Sequence, residues 1–138
     1  ERNLAQDPRD RRRERRIEYS QPCTLAVTAP VWALTTIPIH GMTEDITAHG
    51  VRVRVEGEDC SKVAIWSAAI EEDAEVKVDL ILTRVPMLPA LKGQIVWMDP
   101  GNATADPPLC SLGILFSVLK EKDRRKLQQL VASLNSGQ

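Results

Sequence analysis

The strongest constraint on this chain is a two-residue alternation that recurs in one segment after another. Val51, Val53 and Val55 are apolar while Arg52 and Arg54 between them are charged, the pattern of a strand with one face in a core and one in water. The same period sets Cys23, Leu25 and Val27 on one face, and Val76, Val78, Leu80 and Leu82 on one face within 75–83. Segments 62–66, 91–98 and 109–118 are further strand candidates, with one more around 32–39. Turn chemistry separates them: Gly41, the 57–61 loop, Pro86 and Pro89, and the 99–108 segment with its Pro100-Gly101-Asn102. Six or seven short, half-buried strands in 138 residues predict an antiparallel barrel or sandwich. The last segment changes period. Leu127, Leu130, Val131 and Leu134 follow i, i+3, i+4, i+7 spacing, and Asn135 to Gly137 supplies a stop, so one amphipathic helix is expected to cover the barrel.

Composition narrows the function classes. With 138 residues and 43% hydrophobic content, the chain builds one domain with a full core. A net charge of -1 excludes a surface coated in positive charge for general binding of nucleic-acid polymers. No apolar stretch approaches the roughly 18 residues that span a bilayer, and no apolar signal core opens the chain. Cys23, Cys60 and Cys110 are odd in number, far apart and without a Cys-x-x-Cys pair, so neither a disulfide framework nor a thiolate zinc site is encoded. A reducing, cytoplasmic setting is the expectation, without membrane insertion, metal or cofactor. His40 and His49 are the only histidines, and no nucleophile elbow, phosphate loop or metal-protease helix is present. The chain therefore reads as a binding protein rather than an enzyme. The acidic run Glu71-Glu72-Asp73 reads as a surface loop without chemistry.

Positive charge is concentrated at one end. Residues 1–20 hold seven arginines against five acids and little apolar periodicity, whereas 21–138 hold eleven basic residues against fourteen acidic ones. This divides the chain into a flexible Arg-rich arm over 1–20, a barrel with its helix over 21–134, and a tail over 135–138. The densest part of the arm is Arg11-Arg12-Arg13-Glu14-Arg15-Arg16, and 29 residues after Arg16 comes Asp45-Ile46-Thr47-Ala48-His49-Gly50. An antiparallel excursion out and back would return Asp45 to the start of the first strand, where the arm is attached.

These two stretches resemble the signature of the PilZ domain family, Arg-x-x-x-Arg followed some tens of residues later by Asp/Asn-x-Ser-x-x-Gly. Arg12 to Arg16 and Asp45 to Gly50 carry the match, with Thr47 in place of the usual serine. Leu91-Lys92-Gly93-Gln94-Ile95-Val96-Trp97 is similar to the family's Gly-x-Val-x-Trp strand, and Leu112-Gly113-Ile114-Leu115-Phe116 to its Gly-hydrophobic-Phe strand before the helix. The resemblance implies a six-stranded antiparallel β-barrel with a C-terminal α-helix, acting as a bacterial receptor for cyclic di-GMP. Arginine suits that ligand because its fork pairs with phosphate or with guanine O6 and N7, and its plane stacks on purines. Asp45 could accept from guanine N1–H and the amino group. Gly50 would allow a positive backbone angle or close approach of ligand to main chain. Arg11 to Arg15 has the same spacing as Arg12 to Arg16, and the second register is preferred because Arg16 then directly precedes apolar Ile17. Arg11 would then sit where the family's arginine accompanies a stacked ligand dimer.

The expected site is thus Arg11, Arg12, Arg16, Asp45, Thr47 and Gly50, with Arg15 and Trp97 as additional contacts. His49 is expected to be a solvent-facing turn residue, while Trp32 and Trp66 have no motif support for a site. The expected output is a change of conformation read by a partner protein or adjoining domain. The alternative is a ligand-independent interaction module of the same fold.

Overall fold

The computed structural model describes residues 17–30, 38–85, 88, 90–99, 108–117 and 119–136. Its strands are β1 (Ile17–Glu18), β2 (Pro22–Ala29), β3 (Ile39–Ile46), β4 (Gly50–Glu56), β5 (Val76–Leu82), β6 (Leu91–Asp99) and β7 (Leu109–Phe116). Helix α1 (Cys60–Glu71) follows a single 3-10 turn at Gly57–Asp59, and α2 (Glu121–Ser136) closes the chain. All strand pairs are antiparallel, and β3, β2, β5, β6, β7 and β4 run in that order round a sheet that the β3–β4 pairing closes. Closure leaves no long open edge among the described strands to template aggregation. The short β1 rides on β3, with Ile17 opposite Ile46 and Glu18 opposite Asp45.

The alternation translates into inside and outside as expected. Cys23, Leu25, Val27, Val51, Val53, Val55, Val76, Val78, Leu80 and Leu82 are all buried. Fully burying an aliphatic chain of this size is worth about 1.5–3 kcal/mol, so these positions dominate the fold's stability. Trp66 of α1 and Leu127 of α2 are completely buried in the same cluster, with Leu130, Val131 and Leu134 packed against it. The helical stripe near the C-terminus therefore covers the barrel.

Three local expectations change. Segment 62–66 is not a strand but lies in α1. Val63, Trp66 and Ala69 are its buried residues, at a spacing of three, while Ile65 points to solvent; the short apolar run fits either period, and the core selects the helical one. The 57–61 loop is the 3-10 turn and first residues of this helix, with Gly57 at φ 78°. Gly41 is not a turn but a mid-strand residue of β3 opposite Cys23. Of the segment around 32–39, residues 31–37 lie outside the described residues, and β3 begins at Ile39.

The acidic run does have a structural place. Asp73 takes the left-handed conformation at φ 63°, its N–H bonding the Ile70 carbonyl at 2.9 Å while Ala74 N–H reaches back to Ala69 at 3.0 Å. This is a Schellman ending with aspartate where glycine is more usual.

Candidate functional site

The site begins with two breaks in register. Between β3 and β4, Thr43 faces Val53 and Asp45 faces Arg52, so Glu44 is an extra residue. Thr43 is buried inward with Val53, and strict alternation would send Asp45 inward too; the bulge instead turns it out beside Arg52. The Asp45 carboxylate accepts from Arg52 Nε at 3.0 Å and Nη2 at 2.5 Å, both on Oδ2. Asp45 is 8% exposed, so a strong acceptor is held just under the surface in a fixed orientation.

The second break lies between β6 and β7, where Ile95 faces Ile114 but Trp97 faces Gly113. Ile95 is buried, and the extra residue Val96 turns Trp97 outward, where it is 37% exposed. Gly113 is what lets the indole lie there, because a Cβ at that position would collide with Trp97 Nε1 and Cε2. Val96 and Leu115 are exposed beside it.

Between these two breaks the β3–β4 turn is fastened by Thr47. Its hydroxyl accepts the backbone N–H of His49 at 3.0 Å and of Gly50 at 3.1 Å, and Thr47 N–H bonds the Gly50 carbonyl at 2.9 Å. Threonine performs this fastening as serine would, since only the hydroxyl is used. Gly50 has no positive φ; its lack of a side chain is needed because a Cβ would stand 2.5 Å from the Ile114 carbonyl oxygen of β7. Phe116 N–H bonds the His49 carbonyl at 2.8 Å, tying the turn to the end of the same strand.

Asp45, Thr47, His49, Gly50, Arg52 and Trp97 together border one concavity of about 380 Å³, with Gly113 and Leu115 also lining it. The volume falls within the range of small-molecule sites. The structure therefore brings Asp45, Thr47, Gly50 and Trp97 to one surface. His49, expected only to face solvent, is exposed but also on the rim. Arg11, Arg12, Arg15 and Arg16 lie outside the described residues, as does Trp32, while Trp66 is core. The first described residue, Ile17, pairs with Ile46, one position from Asp45. The corner after β1 is pinned by Thr43, whose buried hydroxyl bonds the Tyr19 carbonyl and accepts Gln21 N–H at 2.9 Å.

Sequence reasoning missed Arg52. It was visible only as the polar half of an alternating strand; its signal was a basic residue seven positions after Asp45 across a tight hairpin, the separation at which the two strands oppose each other. Among the described residues, no cluster of three or more His, Cys, Asp or Glu side chains is placed to hold a metal, and no helix is long and apolar enough to cross a membrane.

Among solved structures, the inhibitor of motility MotI/DgrA of Bacillus subtilis is similar at 11% identity and a TM-score of 0.56, covering 90% of this chain and 52% of that one. The PlzA protein of Borreliella burgdorferi, solved in complex with c-di-GMP, is similar at 10% identity and a TM-score of 0.45, covering 88% and 47%. The PilZ domain of YcgR from Escherichia coli, solved with c-di-GMP, is similar at 11% identity and a TM-score of 0.43, covering 91% and 93%. The chain spans about half the length of MotI/DgrA and of PlzA. No curated protein matches the sequence. The family model for the PilZ domain matches residues 10–133, a span that contains both signature stretches, the closed barrel and nearly all of the trailing helix: the chain belongs to the PilZ domain family.

Proposed function

We propose that this domain is a receptor for cyclic di-GMP, which binds in the concavity bordered by Asp45, Thr47, Gly50, Arg52 and Trp97 and is clasped by Arg11, Arg12 and Arg16, with Arg15 as a further contact. The observation that carries the reading is the pair of bulges: two independent register breaks turn an acceptor carboxylate and an indole out of the core and onto the same surface. Family membership supplies the ligand class, and the residues supply compatible chemistry. A guanine presents N1–H and an amino group as adjacent donors to the Asp45 carboxylate, which Arg52 already orients. The exposed indole offers a stacking face for a purine. The Arg52 charge is matched by Asp45 and Glu44, so the positive charge that suits a phosphodiester falls to the arginine stretch.

The arginine stretch joins the barrel through β1, whose Ile17 lies opposite Ile46. Ligand binding draws that stretch against the β3–β4 turn and so alters the surface shown to a partner protein or an adjoining domain; no reaction is needed. Arg11 directly before the Arg12–Arg16 pair favours a stacked ligand dimer.

Isothermal titration of the purified protein with cyclic di-GMP, with GMP and cyclic AMP as controls, tests the reading. Micromolar or tighter binding selective for the cyclic dinucleotide, near two ligands per chain and lost in Arg16→Ala, is expected. One ligand per chain would reject the dimer. No binding at high ligand concentration would reject the receptor and leave a ligand-independent interaction module.

A further inference from the structure

A feature unconnected with the ligand site lies where α1 meets the barrel. Cys60 is the first residue of α1 and Cys110 the second of β7, 50 positions apart in sequence, yet their sulfurs stand 3.1 Å apart. Strand pairing brings them together. Val55 of β4 lies opposite Cys110, and its carbonyl accepts from both thiols, at 3.3 Å from Cys60 and 3.7 Å from Cys110. Cys110 is buried, Cys60 is half-buried, and both border a cavity of about 930 Å³ shared with Met98 and Pro108. Cys23 is buried in the barrel opposite Gly41 and belongs to neither.

We propose that Cys60 and Cys110 are an oxidisable pair that a peroxide closes into a reversible intramolecular disulfide, tethering the start of α1 to β7. Cys60, the more accessible sulfur, attacks one peroxide oxygen as its thiolate; the O–O bond breaks, Cys60 becomes a sulfenic acid and the other oxygen leaves as water after taking up a proton. Cys110 then attacks the Cys60 sulfur, forming the S–S bond, and its proton leaves with the expelled hydroxyl as a second water. The two thiols lose two electrons in all and the peroxide gains them. Burial pushes the Cys110 thiol up to about 12, so it is protonated in the resting state and waits as the second partner. The sulfurs stand about 1 Å beyond the ordinary S–S bond length of about 2.05 Å. In a reducing compartment such a bond is transient, and a thiol reductant restores the pair.

The test is titration of the reduced full chain with hydrogen peroxide, followed by intact-mass measurement and a tryptic map. The expected product has lost two hydrogens, carries one alkylatable thiol instead of three, and yields a cross-linked pair of peptides, 55–62 with 93–120. Dithiothreitol reverses it, Cys23→Ser leaves it intact, and Cys60→Ser abolishes it. Because the disulfide closes a loop of some 50 residues, the oxidised protein should melt roughly 10 °C higher. Sulfinic or sulfonic Cys60 accumulating without loss of two hydrogens, a cross-link through Cys23, or a disulfide-linked dimer would overturn the proposal. The wild-type map alone decides, so the result does not depend on any variant folding.

Discussion

The barrel wall contains two kinds of seam. β4 and β7 pair residue for residue from Gly50 opposite Leu115 to Glu56 opposite Leu109 without a shift, whereas β3–β4 and β6–β7 each lose register once, beside the concavity. Along the unbroken seam, alternate side chains fill the core and those between them face water. At each of these two breaks a residue that alternation would bury is turned outward, Asp45 to just under the surface and Trp97 onto it, whereas a third shift, between Val27 and Ala29 in the β2–β5 pair, does not border the concavity. The unbroken seam contributes core, and the two breaks beside the concavity shape the candidate site. An extra residue in a strand is a cheap way to re-aim one side chain without disturbing the next, since Ile46 and Met98 return to their inward-facing partners Val51 and Leu112 directly afterwards.

This contrast can be broken from either side. The largest effect belongs to the regular seam: Leu112→Ala removes a fully buried side chain and should cost about 2–5 kcal/mol in urea unfolding. A loss below about 1 kcal/mol would show that this seam does not carry the core. On the irregular side, Asp45→Ala should weaken cyclic di-GMP binding by roughly 10- to 150-fold, the loss of one charge-assisted contact of about 1.5–3 kcal/mol. Trp97→Ala should weaken it by about 1–3 kcal/mol if the indole stacks on a base. Gly113→Ala should act in the same direction through the collision with Trp97 while leaving Trp97 present, which separates the position of the indole from its identity. Titration calorimetry reads all three.

The smallest effect concerns the core that these strands enclose. Burial pushes the thiols of Cys23 and Cys110 up to about 12 from an ordinary 9.0. The folded chain therefore holds these protons more tightly than the unfolded chain. The resulting stability is complete below pH 9 and is lost as pH rises towards 12, by about 1 kcal/mol per thiol at pH 9.5. Urea unfolding at pH 7.5 and 9.5 should show this loss in the wild type, and Cys23→Ala should show less of it.

Where the wall is regular, the sequence was readable. Val51, Val53 and Val55, and Val76 through Leu82, announced their inward faces by local pattern alone, and the C-terminal helix did so by its change of period. Segment 62–66 was misread because a few apolar residues fit either period, and only the packing of Trp66 and Ala69 decides. Asp45 and Trp97 were singled out by motif, but their outward orientation depends on how a neighbouring strand pairs, which local alternation does not encode. Arg52 as the partner of Asp45, and Cys60 beside Cys110, are likewise products of cross-strand register. The four arginines of the expected clasp lie outside the described residues.

The most direct test of the account is an amide NMR titration of the isotope-labelled protein with cyclic di-GMP. The account predicts that shifts concentrate at 45–52, at Val96 and Trp97 including its indole N–H, and at 113–115, with the α1 side of the barrel around 57–67 unmoved. Shifts centred on the α1 cavity, with Asp45, Arg52 and Trp97 unaffected, would contradict it.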